Sequence, residues 1–145
     1  MGGVVPYQRG YSANDVASLL GVSAPRLRSL LRAGFLSPER GPGGELRFSF
    51  QDLVLLRTAV GLLSSRVKAR KVKDALQKLR EQLPSGRPLS GVTIAAQGDG
   101  IVVRDGDTLW NPESGQVLFD FEVADLAKKV APLARRAADA AARDE

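Results

Sequence analysis

Residues 12–34 read SANDVASLLGVSAPRLRSLLRAG, and this stretch decides the fold because it contains the boundaries of two short helices. Ser12 and Ser23 each stand where a hydroxyl can accept a hydrogen bond from the first backbone amides of a helix. Gly21 and Gly34 each stand where a helix ends, since glycine readily adopts the left-handed conformation of a C-terminal cap. The sequence therefore predicts two helices joined by a very short turn.

A turn this short forces the two helices to cross steeply, and four positions have the residue types that such a crossing needs. Ala17 is small enough to let the helices approach, and Gly21 suits the turn. Leu27 and Leu30 fill the crevice between the helices. This is the pattern of a helix-turn-helix, whose second helix enters the major groove of DNA. A helical hairpin that only packs internally is the alternative.

Residues 39–48 are predicted to form a β-hairpin with a glycine-rich tip. Leu46 and Phe48 alternate with Glu45 and Arg47, and a period of two directs the first pair to the core and Arg47 outward. The tip would let the backbone come close to a phosphate. Taken alone, the segment fits an ordinary hairpin with a solvated Arg47. Its position directly after the second helix favours a DNA-binding wing.

Two longer helices are predicted over residues 50–65 and 68–83. The first is apolar on most of its faces, which indicates burial against both neighbours or a partner chain. The second begins with a cluster of cations, although the helix dipole favours acids there. Phosphate binding would explain the cluster, and a solvated basic face is the alternative. Its members are Arg66, Lys68, Arg70, Lys71 and Lys73.

These segments together resemble the DNA-binding domain of the MerR family of bacterial proteins. Residues 21–28, GVSAPRLR, and 33–38, AGFLSP, are similar to that family's recognition helix and the turn that follows it. Arg40, Gly44 and the run RFS at 47–49, followed by Asp52 and Leu53, resemble its wing and following helix. The resemblance covers Tyr11 to Leu83.

The resemblance implies a winged helix-turn-helix that binds double-stranded DNA. By analogy, Arg28, Arg40 and Arg47 contact the DNA backbone, while Ser23 to Arg26 face base edges. The complete set of predicted DNA-binding residues is Ser23, Ala24, Arg26, Arg28, Arg40, Gly43, Arg47, Arg66, Lys68, Arg70 and Lys71.

Two departures from the family pattern limit what the resemblance implies. The family usually has two phosphate-contacting aromatics after the helix arginine, where this chain has Ser29 and Leu30, so the grip on the DNA backbone is expected to be weaker or redistributed. The family's activators dimerise through a long helix after the fourth one. This chain instead has the proline-containing run 84–88, which favours a repressor or a DNA-tethering module over a promoter-twisting activator.

The second half of the chain is predicted to form a small antiparallel β-meander. Its strands are expected at residues 92–94, 101–103, 108–110 and 117–121, separated by turn signals. The aspartates at 99, 105 and 107 are interpreted as turn residues, and Trp110 as part of the core of the small sheet.

Residues 122–145 are predicted to form an amphipathic helix that bends at Pro132. Its apolar stripe consists of Val123, Leu126, Val130, Leu133 and Ala137. This stripe is the preferred contact for a homo-oligomer, a dimer above all, because proteins of this type read paired half-sites. Docking on the meander and a lead into a further domain are the alternatives.

Composition narrows the range of chemistry. The chain has 145 residues and neither Cys nor His, which argues against thiolate chemistry, the usual zinc sites and imidazole catalysis. Residues 1–83 contain 14 Lys and Arg against 6 Asp and Glu, a net charge of +8, whereas residues 84–145 have 7 against 10, a net of −3. A basic first half fits nucleic-acid binding. No long apolar run or secretory pattern is present, so a cytoplasmic protein without membrane contact is expected.

The sequence thus predicts an α+β protein of three parts. These are a winged helix-turn-helix of four helices plus a hairpin at 1–83, a β-meander at 84–121 and an amphipathic helix at 122–145. We expect a bacterial transcription regulator that binds specific double-stranded DNA, with no enzymatic activity, cofactor or metal. A protein-interaction adaptor that reuses the winged-helix fold is the alternative.

Overall fold

The computed structural model describes residues 10–83, 91–97, 100–105 and 117–132. They form two compact units, one of residues 10–53 with 127–132 and one of the described residues from 54 to 126. Helices and two small antiparallel sheets are both present, as the predicted α+β class requires.

Helices α1, Ala13–Leu20, and α2, Ala24–Arg32, begin and end where the sequence predicts. The Ser12 hydroxyl accepts from the Asp15 amide at 3.1 Å, and the Ser23 hydroxyl accepts from the Arg26 amide at 3.1 Å. Gly21 ends α1 with φ +70°, and its Cβ-free backbone supports the short turn into α2. The two helices pack on each other.

A short hairpin follows, formed by β1, Glu39–Arg40, and β2, Leu46–Arg47. The strands are antiparallel, with Glu39 opposite Arg47. Directly after β2, Phe48 is fully buried and exchanges two backbone hydrogen bonds with Tyr11, of 2.8 and 2.9 Å. The base of the hairpin is therefore joined to the segment that leads into α1.

Helices α3, Phe50–Ser64, and α4, Ala69–Gln82, complete the helical part. A reciprocal pair of hydrogen bonds between Ser49 and Asp52 caps the start of α3, in the arrangement of a capping box. Consecutive residues of α3 from Leu53 to Leu56 are all buried, which confirms that this helix is covered on several sides. In α4 the apolar residues lie on a single buried face, consisting of Val72, Ala75, Leu76 and Leu79.

The second sheet contains β3, Val92–Gln97, β4, Gly100–Asp105, and β5, Val117–Glu122. It is antiparallel in the order β4-β3-β5, so the predicted meander order, in which the strand at 92–94 lies at an edge, is wrong: β3 is central and pairs with both β4 and β5. The reason lies in β3, whose residues Val92, Ile94, Ala95 and Ala96 are buried on both faces. A strand that is apolar on both faces is stabilised best in the centre of a sheet.

Helix α4 packs against β4 within the second unit. These two elements lie on either side of the boundary that the sequence places after Leu83. The boundaries predicted after Leu83 and Phe121 stay predictions.

Helix α3 approaches β5 in the same unit, and the contact depends on Gly61. A Cβ at Gly61 would lie 2.5 to 2.8 Å from three ring atoms of Phe119, closer than packed atoms approach. The guanidinium of Arg57 lies 4.8 Å from the ring centroid of Phe121 and 5.7 Å from that of Phe119. Both distances fit cation–π interactions.

A last helix, α5, has helical backbone over residues 123–132. Val123, Leu126 and Val130 of its predicted apolar stripe are 1%, 5% and 5% exposed in the single chain. These three side chains are thus already covered, so the expectation that they form the oligomer contact is wrong. The rest of the stripe, the predicted strand at 108–110 with Trp110, and the aspartates at 99 and 107 lie outside the described residues.

Candidate nucleic-acid interface

Helix α2 separates its apolar and basic residues onto different faces. Leu27 and Leu30 are 1% and 4% exposed, whereas Arg26 and Arg28 lie on the surface. The N-cap Ser23 is exposed and Ala24 half-buried, and no acidic residue stands in the first turn. The helix therefore presents the guanidinium groups of Arg26 and Arg28 on its surface, beside an N-terminal turn free of negative charge.

The two departures from the family pattern have different environments in α2. Ser29 is exposed and accepts a hydrogen bond from the Arg32 guanidinium at 3.3 Å, while Leu30 is buried. Of these two positions, only position 29 directs its side chain to solvent. A serine hydroxyl there is shorter than the aromatic side chain usual in the family.

The hairpin brings Arg40, Gly43 and Arg47 together. Arg40 is exposed, and its guanidinium donates to the Gly44 carbonyl at 2.7 Å. Arg47 was expected to face outward, but its side chain is only 32% exposed and forms an ion pair with Glu45 at 3.2 Å. The Nε of Arg47 is buried without a hydrogen-bond partner. The alternation of side chains along a strand predicts on which side of the hairpin Arg47 lies. It does not predict the ion pair with Glu45, and this ion pair explains why Arg47 is less exposed than expected.

The cations at the start of α4 are exposed, as Arg66, Lys68, Arg70 and Lys71 all lie on the surface. Lys68 is the N-cap of α4 and provides no side-chain cap, and the first turn contains no acid. Arg66 has φ +67°, in the left-handed region that L side chains rarely adopt. Its backbone amide donates to the Leu63 carbonyl at 3.0 Å and closes the end of α3.

The predicted residues fall into two groups. Seven of them, on α2 and the hairpin, belong to the unit of residues 10–53, and the four on the α3–α4 connection and the start of α4 belong to the other unit. The function of all eleven stays a prediction.

Sequence reasoning missed two features of the charged side chains. Glu45 contacts Arg47, and the signal that could have revealed this is their spacing, since residues two apart in a strand share a face. The stacking of Arg57 on two phenylalanines of β5 had no such signal, because it joins segments about sixty residues apart in the sequence.

No group of three or more Asp, Glu, His or Cys residues is placed to hold a metal ion among the residues that the structure describes. In the same part of the chain, no helix has the length and apolarity that a membrane crossing needs.

Comparison with known families gives one match. Residues 11–79 match the family model described as MerR HTH family regulatory protein, and the rest of the chain lies outside the match. The resemblance seen in the sequence from Tyr11 onward is thereby confirmed as far as Leu79 of α4. A comparison with curated proteins finds no match.

Proposed function

We propose that this protein, whose residues 11–79 match a MerR HTH family model, binds specific double-stranded DNA as a transcription regulator. The observation that carries the proposal is the division of α2. Its buried leucines fix the helix against α1, while Arg26 and Arg28 stay exposed on a helix that the family inserts in the major groove.

Different residues have different roles in this proposal. Arg26 lies in the first turn of α2 and would contact base edges, where a bidentate arginine recognises guanine. Arg28 and the hairpin arginines Arg40 and Arg47 would contact phosphates, with the hairpin acting as a wing. The exposed cations at the start of α4 would add further phosphate contacts, supported by a first turn without acids.

The experiment is a titration of the full chain into a fluorescently labelled duplex of mixed sequence, followed by anisotropy at several salt concentrations. We expect affinity to fall steeply with salt, because phosphate contacts release counterions. An affinity that is absent, or independent of salt, would favour the adaptor alternative. That alternative is supported by the serine at position 29, which replaces an aromatic phosphate contact.

The double variant Arg28→Ala with Arg47→Ala tests the assigned phosphate contacts. The slope of log affinity against log salt should become shallower by about 1.8, because each lost contact on B-form DNA removes about 0.9. Affinity should fall similarly on all duplexes, since phosphates carry no base code. By contrast, Arg26→Ala should weaken binding only to duplexes that carry the preferred base, by about 1 to 3 kcal/mol. An unchanged slope in the double variant would remove Arg28 and Arg47 from the interface.

We further propose that the regulator binds as a dimer, because one helix-turn-helix covers little DNA. Its contact would have to use residues other than Val123, Leu126 and Val130, which are buried in the single chain. Sedimentation of the free protein and of its DNA complex tests this, and a strict monomer in both would contradict it. Repression or tethering, rather than promoter twisting, is the mode of regulation that we favour.

A further inference from the structure

The tip of the β1–β2 hairpin is closed by the turn Gly41-Pro42-Gly43-Gly44. The Gly44 amide donates to the Gly41 carbonyl at 3.0 Å, and the Gly41 amide donates to the Glu45 carbonyl at 2.7 Å. Glu45, the first residue after this turn, folds its side chain back over the tip. Its carboxylate contacts the guanidinium of Arg47 at 3.2 Å.

Two glycines leave the space that this carboxylate fills. A Cβ at position 43 would lie 2.9 Å from Oε2 of Glu45, and a Cβ at position 41 would overlap Oε1 and lie 3.3 Å from Nε of Arg47. Neither Gly41 nor Gly43 has a positive φ, so the backbone conformation does not by itself require glycine there. Gly41, Gly43 and the guanidinium of Arg47 therefore surround a space that fits an oxyanion, which we call the hairpin-tip cradle.

The cradle favours the ionised carboxylate. Hydrogen bonding from the backbone amide of Glu45 itself, then from Arg47 and the amide of Gly43, lowers the pKa of the Glu45 carboxyl and outweighs an opposing desolvation. Glu45 is thus charged throughout the neutral pH range in which DNA binding is measured. Carboxylate and phosphate are both bound by guanidinium and amide N–H groups, so the two compete for the same donors.

We propose that Glu45 is an internal competitor of DNA phosphate: its carboxylate occupies the hairpin-tip cradle in the free protein and must leave when a phosphate reaches Arg47. This inference rests on the proposed DNA binding and adds a residue that limits affinity. It also gives a role to Nε of Arg47, a buried donor that has no partner in the free protein. A phosphate in the cradle can accept from both Nε and the terminal nitrogens of one guanidinium, whereas Glu45 contacts only Nη2.

Glu45→Gln tests the proposal because it removes the charge and nearly keeps the shape. Its matched control is Glu39→Gln, which removes the same charge from an exposed residue of the same hairpin. Each variant is titrated in the full chain against the mixed-sequence duplex, across the same salt series as the wild type. We expect Glu45→Gln to bind about two- to fivefold more tightly than wild type, the effect of one exposed ion pair. Glu39→Gln should change affinity by less than about half of the factor expected for Glu45→Gln. The reason is that an exposed charge outside the Glu45–Arg47 ion pair is screened by salt.

The salt dependence gives a second readout. If a phosphate replaces the Glu45 carboxylate, the slope for Glu45→Gln should be steeper than that of wild type by up to about 0.9. Circular dichroism and urea unfolding should match wild type, since Glu45 is exposed. Glu45→Ala should also bind DNA more tightly than wild type. This second variant removes the side chain entirely, so no glutamine amide can occupy the cradle.

The outcomes separate this inference from the proposed function. If wild type binds DNA with a steep salt dependence but both Glu45 variants bind no more tightly than Glu39→Gln, the competitor role of Glu45 is overturned and DNA binding stands. If wild type shows no salt-dependent binding, the proposed function fails and the competitor role fails with it.

Discussion

The two antiparallel sheets among the described residues share a hydrogen-bonding pattern but differ in how deeply their side chains are buried. In the β1–β2 hairpin every strand residue is exposed or half-buried, and three of the four are charged. In the β4-β3-β5 sheet the central strand has four buried residues out of six. The hairpin leaves its strand side chains at least partly accessible, whereas the larger sheet supplies a core. Function and stability are therefore expected to depend on different sheets.

Matched apolar truncations in the two sheets should give the largest effects on stability. Ile94 is fully buried in the centre of β3, so Ile94→Ala should lower the free energy of unfolding by about 2 to 5 kcal/mol. Leu46 in β2 is only half-buried, and Leu46→Ala should cost roughly 1 kcal/mol. Urea unfolding followed by circular dichroism measures both. Equal losses would contradict the division between a core sheet and an accessible hairpin.

Two glycines sharpen the comparison, because Gly61 is required for space and Gly21 for its backbone conformation. Gly61→Val would press against the Phe119 ring and should destabilise the protein by about 1 to 3 kcal/mol. A Cβ at Gly21 would meet no atom within 4 Å, but the residue has φ +70°. Asparagine adopts this conformation more readily than alanine, so Gly21→Asn should be tolerated better than Gly21→Ala. Urea unfolding of the three variants measures these differences.

A double-mutant cycle identifies the contact at Gly61. Combining Gly61→Val with Phe119→Ala should cost less than the sum of the two single variants, with a coupling of at least about 0.5 kcal/mol. Strict additivity would mean that the ring does not limit the approach of α3 to β5.

The contrast between the two sheets also explains how far the sequence could predict the structure. Capping residues act within one helical turn, so Ser12, Gly21 and Ser23 predicted the ends of α1 and α2 correctly. The order of the β-strands depends on pairing between distant segments, and local turn signals wrongly placed the strand at 92–94 at an edge of the sheet. Burial likewise depends on contacts between segments that are distant in the sequence, so Val123, Leu126 and Val130, which suggested a dimer contact, are covered within a single chain.

For the candidate site, the family resemblance implied that Arg26 and Arg28 face a DNA partner, and both side chains are exposed. The sequence did not predict the environment of Arg47, whose surroundings are set by the rotamer of Glu45 and by the missing Cβ atoms at the hairpin tip. An ion pair between exposed side chains contributes only a small free energy, so small changes in distance decide which charged groups pair. These distances depend on the three-dimensional structure and cannot be derived from the sequence pattern.

The smallest effect is expected at Arg66, where stability and binding should change in opposite directions. A non-glycine residue at φ +67° is strained, and glycine relieves that strain, so Arg66→Gly should raise the free energy of unfolding by up to about 1 kcal/mol. If the strain is retained because the guanidinium contacts phosphate, the same variant should bind duplex DNA more weakly, with a slope of log affinity against log salt that is shallower by about 0.9.

Arg66→Ala is the matched control, because it removes the charge and keeps the strain: it should lose the same affinity without gaining stability. Urea unfolding and the anisotropy titration measure the two quantities on the same samples. Unchanged DNA affinity in both variants would show that Arg66 only closes the end of α3, and the role proposed for the basic start of α4 would then depend on its remaining cations.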